Sequence, residues 1–145
     1  MSIINFDNLY KLIEERGVIN VDEYLEAVQT TKDGLNKQSD ELTKYANKLL
    51  RTIRMVGEDD DFYKSVENEI TNISGQIDHA LNNLNVMERK LNEMKGESNN
   101  NALVQRLKEL EPFDTEVSNL FNQLNETFEG APESIKGINE FNEQR

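Results

Sequence analysis

The chain of 145 residues has no cysteine, no tryptophan and only two prolines. Without cysteine there is no disulfide framework, no thiolate nucleophile and no cysteine-ligated zinc. Apolar runs are only a few residues long, which excludes a transmembrane helix. Residues 1–7 carry no basic segment leading into an unbroken apolar stretch, so a signal peptide is not expected. We therefore expect a cytoplasmic protein, with signal-less export or a place in a virus particle left open.

The charge balance is strongly acidic, with 28 carboxylates against 16 basic side chains and a net charge of −12. Binding to a phosphate backbone or to an anionic membrane needs clustered lysine and arginine, so direct nucleic-acid binding and membrane insertion are not expected. We interpret the charge as a solvated surface that keeps the protein in solution. Two alternatives are an acidic decoy of nucleic acid and a chaperone for a basic client. Abundant asparagine hints at a low-GC genome, such as that of a phage or a Firmicute.

Apolar residues recur at alternating steps of three and four along three long segments, as in coiled-coil-like helices. We call these positions the seam. The strongest segment runs from about residue 60 to 95 and stops at Gly96. In the segment before it, 21–56, the seven-residue spacing passes unchanged through the turn signal Asp33-Gly34, which predicts one continuous helix. The predicted seam residues of these two segments are Val21, Val28, Leu35, Leu42, Leu49 and Val56, then Val66, Ile70, Ile73, Ile77, Ala80, Leu84, Met87, Leu91 and Met94.

The third long segment follows a polar loop, 96–101, and contains a proline. Pro112 lacks a backbone donor and clashes with the preceding turn, so it is predicted to kink the helix or to divide it into 102–111 and 113–129. The seam of this segment consists of Leu103, Leu107, Leu110, Val117, Phe121, Leu124 and Phe128. Because the connections are short and the segments similar in length, the three helices should run up, down and up. This layout resembles a spectrin-type three-helix bundle in architecture, although the aromatic markers of spectrin repeats are missing.

The sequence thus predicts an all-α, antiparallel three-helix coiled-coil bundle as a single domain over residues 1–145. A short N-terminal helix is expected within 1–18 and the long-helix bundle within 20–130. Gly130-Ala131-Pro132 should then end the last long helix. Residues 131–145 are predicted to form a short amphipathic arm.

No residue cluster points to catalysis. The only histidine, His79, is expected on the outer side of its helix, without the orienting carboxylate and nucleophile that a catalytic histidine needs. Gln76 stands where a helical di-metal site would place glutamate. The acidic run 58–61 is explained by the start of a helix and lacks the spacing of a calcium loop. We therefore predict no enzyme activity, no metal and no cofactor.

The terminal segments are the candidate partner-binding sites. Ile135, Ile138 and Phe141 form an apolar stripe on a segment too short to be a stable helix alone. This stripe either folds back on the bundle or enters a groove of another chain. Phe6 and Tyr10 pose the same choice, with packing across one end of the bundle favoured.

The predicted function is protein–protein contact, as an assembly component, adaptor or small inhibitory partner. The partner is another protein or a second copy, and no small-molecule substrate is evident. The alternatives are the acidic decoy and a self-associating structural component of a virus particle or secretion apparatus.

Overall fold

Four α-helices account for most of the described chain. The structure, a computed structural model, describes residues 3–17, 19–56 and 60–129. The helices are α1 (Phe6–Arg16), α2 (Val21–Val56), α3 (Asp60–Glu93) and α4 (Asn100–Glu129). Helix makes up 90% of the described residues, and they contain no strand. The predicted all-α class is confirmed, whereas the predicted arm, 131–145, lies outside the described residues.

The helix boundaries follow local chemistry. α1 begins after Asn5, whose side-chain oxygen accepts a hydrogen bond from the backbone N–H of Asn8, and it ends at Gly17 with φ 69°. Such a left-handed residue after the last turn is the usual place for glycine. α3 ends at Glu93, and Gly96 turns the chain with φ 80°. Asn99 then caps α4 by accepting a 3.1 Å hydrogen bond from the N–H of Ala102. The Asp33-Gly34 pair lies inside α2, as predicted.

The three long helices run antiparallel in sequence order, and cross-helix contacts fix their register. Lys95, just beyond the end of α3, meets Asp22 of α2 at 2.8 Å, and Lys32 of α2 meets Glu88 of α3 at 3.0 Å. Between α4 and α3, Arg106 meets Glu93 at 2.9 Å and Thr127 meets Gln76 at 3.5 Å. In both helix pairs, residue numbers therefore rise along one helix as they fall along the other.

The seam forms the core. On α3, every seam residue from Ile73 to Met94 is at most 1% exposed. The continuous apolar cluster also takes in Ile4, which precedes α1, and buried residues of α1, α2 and α4, which are Leu9, Ile13, Val21, Val28, Leu35, Leu42, Leu103, Leu107, Leu110, Val117, Leu120 and Leu124. Helices this long gain most of their stability from such an apolar face and less from intrinsic propensity.

Pro112 does not divide the third long helix, so that part of the prediction was wrong. α4 is a single helix through it. Proline removes only the hydrogen bond to the carbonyl of Lys108, and both residues are exposed, so water can solvate that carbonyl. Leu110 and Val117 on either side are fully buried. Packing on the inner face therefore holds the helix together where the outer face loses one bond.

Candidate protein interface

α1 lies antiparallel along the first half of α4, held by hydrogen bonds at both ends. The N–H of Ile3 donates to Asp114 Oδ1 at 3.0 Å. At the other end, the side-chain amide of Asn100 donates to the carbonyl of Ile13 at 3.5 Å. Leu9 and Ile13 are 0% and 1% exposed, so the apolar face of α1 is covered within the chain.

Phe6 and Tyr10, two of the predicted partner-binding residues, are half-buried against this same core. The Tyr10 hydroxyl donates a 2.9 Å hydrogen bond to Glu111 Oε1. Burial, followed by that hydrogen bond and the charge of Glu111, raises the pKa of Tyr10 to about 12. Packing of α1 on the bundle is therefore confirmed, and a role for these two residues in partner binding stays a prediction.

Asp114 is a buried carboxylate that the sequence prediction missed. It is only 4% exposed and occupies a seam position between Leu110 and Val117, where the spacing of three and four calls for an apolar residue. Buried carboxylates need hydrogen-bond partners, and the N–H of Ile3 is one. The sequence did offer a signal for this site, namely an acidic residue at a seam position. It was missed because the seam was read directly from Leu110 to Val117, a step of seven residues that passes over position 114.

The helices α2 and α3 continue beyond the described end of α4. The side chain of Gln76 on α3 meets Thr127 on α4 at 3.5 Å, and the described part of α4 continues for two further residues. In contrast, α3 has sixteen residues, 60–75, on the far side of that contact. Their partners on α2 are approximately residues 43–56, as the placement of the Arg54 guanidinium 5.1 Å from the Tyr63 ring centre shows. We call these two stretches together the extension.

Burial along the seam is uneven in the extension, where Ala46 and Val66 are each 6% exposed but two other seam residues are less covered. On α2, Val28, Leu35 and Leu42 are at most 3% exposed, whereas Leu49, the next residue in the same seven-residue series, is only half-buried. On α3, Ile73 is 0% exposed, whereas Ile70 is half-buried. The extension thus keeps the pattern of the bundle without its full burial.

The outer surface of the extension is basic on its α2 side. Lys44, Lys48, Arg51 and Arg54 are all exposed, and residues 42–56 contain no carboxylate. Basic residues near a helix C-terminus also suit the helix dipole. In a chain of net charge −12, this stretch is still a local reversal of sign.

His79 lies next to one carboxylate but belongs to no larger cluster of ionisable side chains in the described residues. His79 is 56% exposed, as expected for the outer side of α3, and its Nε2 lies 3.6 Å from Glu116 Oε1. Of the acidic run 58–61, residues 58 and 59 lie outside the described residues, and Asp61 is exposed in the first turn of α3. Among described residues there is no group of three or more histidine and carboxylate side chains that could hold a metal ion.

A cleft of about 460 Å³ lies at the opposite end from the extension, where α1 leads into α2 and α3 into α4. Apolar walls from Ile19, Met94 and Leu103 meet polar groups at its rim. Asp22 and Lys95 on that rim are joined in an ion pair. The rim charges therefore serve to connect the helix ends.

Comparison with protein families, with curated proteins and with solved structures finds no match for this chain. Within residues 3–17, 19–56 and 60–129, no helix combines the length and hydropathy needed to cross a membrane. Ile135, Ile138 and Phe141, the other predicted partner-binding residues, lie outside the described residues.

Proposed function

We propose that this chain is a non-enzymatic helical-bundle protein that acts by binding another protein, as an assembly component, adaptor or small inhibitor. The extension is the contact surface. The supporting observation is the loss of burial along one seam, from Leu42, which is 1% exposed, to the half-buried Leu49. A two-helix surface with an incompletely covered seam is suited to receive a third helix.

The chemistry of the surface defines the kind of partner. Tyr45 and Leu49 on α2 follow the seam spacing and supply apolar contact area. Lys48 and Arg51 flank them with positive charge and are exposed. A complementary ligand is an amphipathic helix with apolar residues at steps of three and four and carboxylates along one flank. Apolar anchors would supply most of the affinity, and the rim charges would speed association.

Site-specific photocrosslinking in the native host tests this proposal. A diazirine analogue of leucine at position 49 changes the side chain little and places the reactive group on the extension. The matched control carries the same group at Lys108, which is exposed on α4. We expect one discrete heterologous adduct from position 49 and none from position 108.

Two other outcomes of the crosslinking would contradict this function. Equal labelling from both positions would mean non-specific encounter, and no adduct from position 49 would remove the extension as a contact surface. A covalent dimer of this chain would instead favour the self-associating structural role. Light scattering of the purified protein would then show a mass of two or more copies.

A further inference from the structure

The outer face of α2 carries a second repeating pattern, which is made of polar residues. Eight residues follow one another at steps of four and three on the side of α2 opposite its buried seam, and all eight are exposed. We call this set the outer stripe, which consists of Glu26, Thr30, Asp33, Lys37, Asp40, Lys44, Asn47 and Arg51. In the described chain no Cα atom of α2 comes within 8 Å of α1 or α4, and α3 packs on the opposite, buried face. The outer stripe is therefore a helix face on which no other described helix packs.

The charges of the outer stripe reverse their sign about its midpoint, which lies between residues 38 and 39. Residues equally far from this midpoint carry opposite charges, and the remaining pair is uncharged. The pairs are Glu26 with Arg51, Asp33 with Lys44, Lys37 with Asp40, and the uncharged Thr30 with Asn47.

This order makes the outer stripe complementary to an antiparallel copy of itself. We propose that the protein forms a two-fold symmetric dimer in which the outer stripes of two copies face each other. In such a dimer, each residue meets the one equally far beyond the midpoint on the second copy, so a single patch serves both partners. Every charged position then faces the opposite charge. A parallel arrangement would instead set Glu26 against Glu26 and Arg51 against Arg51.

Ion pairs within α2 explain only the middle of the stripe. Lys44 Nζ lies 3.8 Å from Glu41 Oε1, although the Lys44 side chain remains 76% exposed. Residues three or four apart on a helix are near enough to pair, but no basic residue stands at that distance from Glu26 and no carboxylate stands there from Arg51. The outer side of α3 also has exposed positions without charge, which are Thr71, Gly75, Asn82 and Asn85. Solvation alone therefore does not require the charges of the outer stripe.

The helix dipole does not account for the order of the charges either. It favours acidic residues at the start of a helix and basic residues at its end, and its influence falls off within about one turn. Asp33 and Lys44 each lie twelve residues from the nearer end of α2. Their opposite signs match the antiparallel dimer and lie beyond the reach of the dipole.

The dimer goes beyond the proposed function and leaves its seam accessible. Leu49 lies two positions before Arg51 and is therefore turned from it by about 160° around α2. A photoreactive group at position 49 would thus face away from the second copy, and either inference can hold without the other. Because the two α2 helices run antiparallel, the dimer would carry one extension at each end. Two linked contact surfaces would strengthen binding to a partner that is itself repeated.

Sedimentation velocity of the full chain over a range of concentrations tests the dimer. Exposed ion pairs are screened by salt, so we expect a monomer–dimer equilibrium whose Kd is about tenfold weaker, or more, in high salt than in low salt. Charge reversal then identifies the pairing. Glu26→Arg places two cations opposite each other and should weaken dimerisation at least tenfold, even though it reduces the net charge from −12 to −10 and so reduces the overall repulsion between copies.

The double variant separates pairing from the effect of a single charge. Arg51→Glu should weaken the dimer as Glu26→Arg does, whereas the two changes together restore opposite charges across the interface and should restore dimerisation. Asp33→Lys with Lys44→Glu repeats this cycle nearer the midpoint. The control is Glu109→Arg, the same change of charge at an exposed position of α4, and it should not weaken the dimer. Circular dichroism checks that each variant keeps its helix content.

Three results would overturn the proposal. The first is a protein that stays monomeric in low salt at millimolar concentration. The second is a dimer that Glu26→Arg weakens no more than Glu109→Arg does, because another face would then join the copies. The third is loss of the dimer in both single variants without recovery in either double variant, which would reject the antiparallel pairing.

Discussion

The hydroxyl of Tyr10 donates a 2.9 Å hydrogen bond to Glu111 Oε1 and thereby joins α1 to α4 across most of the sequence. The contact lies between the Ile3–Asp114 and Ile13–Asn100 hydrogen bonds, so α1 is attached at three levels. The bundle of three long helices is thus joined by a short fourth helix, α1, which packs along about half the length of α4.

Tyr10→Phe should lower the free energy of unfolding by about 0.5–1.5 kcal/mol, the usual net value of one hydrogen bond. The substitution should also change how the free energy of unfolding depends on pH in the alkaline range. Since the folded pKa is raised from 10 to about 12, the contribution of Tyr10 is complete below about pH 10 and is lost as pH rises toward 12. Denaturant unfolding of both proteins between pH 8 and 12 checks this. An equally steep alkaline loss in the Phe variant would assign the effect to other groups, such as Tyr24, whose pKa burial also raises.

Asp114→Ala should release the N-terminal end of α1. The N–H of Ile3 loses its acceptor, and the loss of one partner of a buried hydrogen bond costs about 1–3 kcal/mol. Hydrogen exchange should accelerate in α1 more than in α3. Asp114→Asn keeps an acceptor oxygen and should have a smaller effect. Glu109→Ala, at an exposed position on the same helix, is the control, and an equal effect there would contradict the role of Asp114.

Leu84→Ala should be severely destabilising, by about 2–5 kcal/mol, because it removes buried methyl groups and leaves a cavity. Leu84 is 0% exposed on α3. His79→Ala, five residues away on the outer side, should cost less than about 0.5 kcal/mol. Chemical denaturation of both variants checks the order, and its reversal would show that the inner and outer faces of α3 are exchanged.

Gly34→Ala and Gly75→Ala should each stabilise the protein by about 0.4–1 kcal/mol, since helical alanine reduces the entropy of the unfolded chain. A Cβ at either position meets no atom within 4 Å. Gly17→Ala should instead destabilise by about 1–2 kcal/mol, because its φ is 69° and the new Cβ would lie 3.3 Å from Asn100 Oδ1. Thermal melts compare the three. A stabilising Gly17→Ala would contradict the left-handed end of α1.

Deletion of residues 132–145 should leave the main cooperative transition intact, because the continuous core runs through α1–α4. Hydrogen exchange around Leu84 should change little, and the same deletion should weaken partner binding severely if the arm is a docking element. Changing Ile135, Ile138 and Phe141 to serine should reproduce the deletion. A collapsed melting transition would mean that the arm belongs to the common core.

The spacing of apolar residues was sufficient to predict the helices and most of the core. Residues at steps of three and four lie on one face of a helix, and that face is the one that is buried. This spacing placed Leu84 and Met87 inside and His79 outside, as observed. It was insufficient where tertiary contacts override a local rule. Pro112 should have broken α4 by its own chemistry, and packing on the inner face prevents the break. Asp114 should have been exposed by its charge, yet α1 supplies it with a donor.

The incomplete burial at Leu49 was less accessible to prediction. Leu49 and Leu42 occupy equivalent positions in the repeat, so no pattern in α2 distinguishes the half-buried residue from the buried one. The two residues differ in burial although their positions in the repeat are equivalent, and the cross-helix register that decides burial is not written in the spacing of one helix. The register between α3 and α4 is known only from cross-helix contacts in the structure, such as that between Gln76 and Thr127.

The attachment of α1 to residues 100–114 has a consequence for synthesis in the cell. Ribosomes add about 5–20 residues per second, so Leu9 emerges several seconds or more before its binding site on α4 exists. The pairs α2–α3 and α3–α4 close over short connections and can form early, whereas α1 must wait for a distant segment. During that interval its apolar face is uncovered. Because α1 is made before α4 and packs only after α4 has emerged, chaperones would bind this nascent chain most readily at α1.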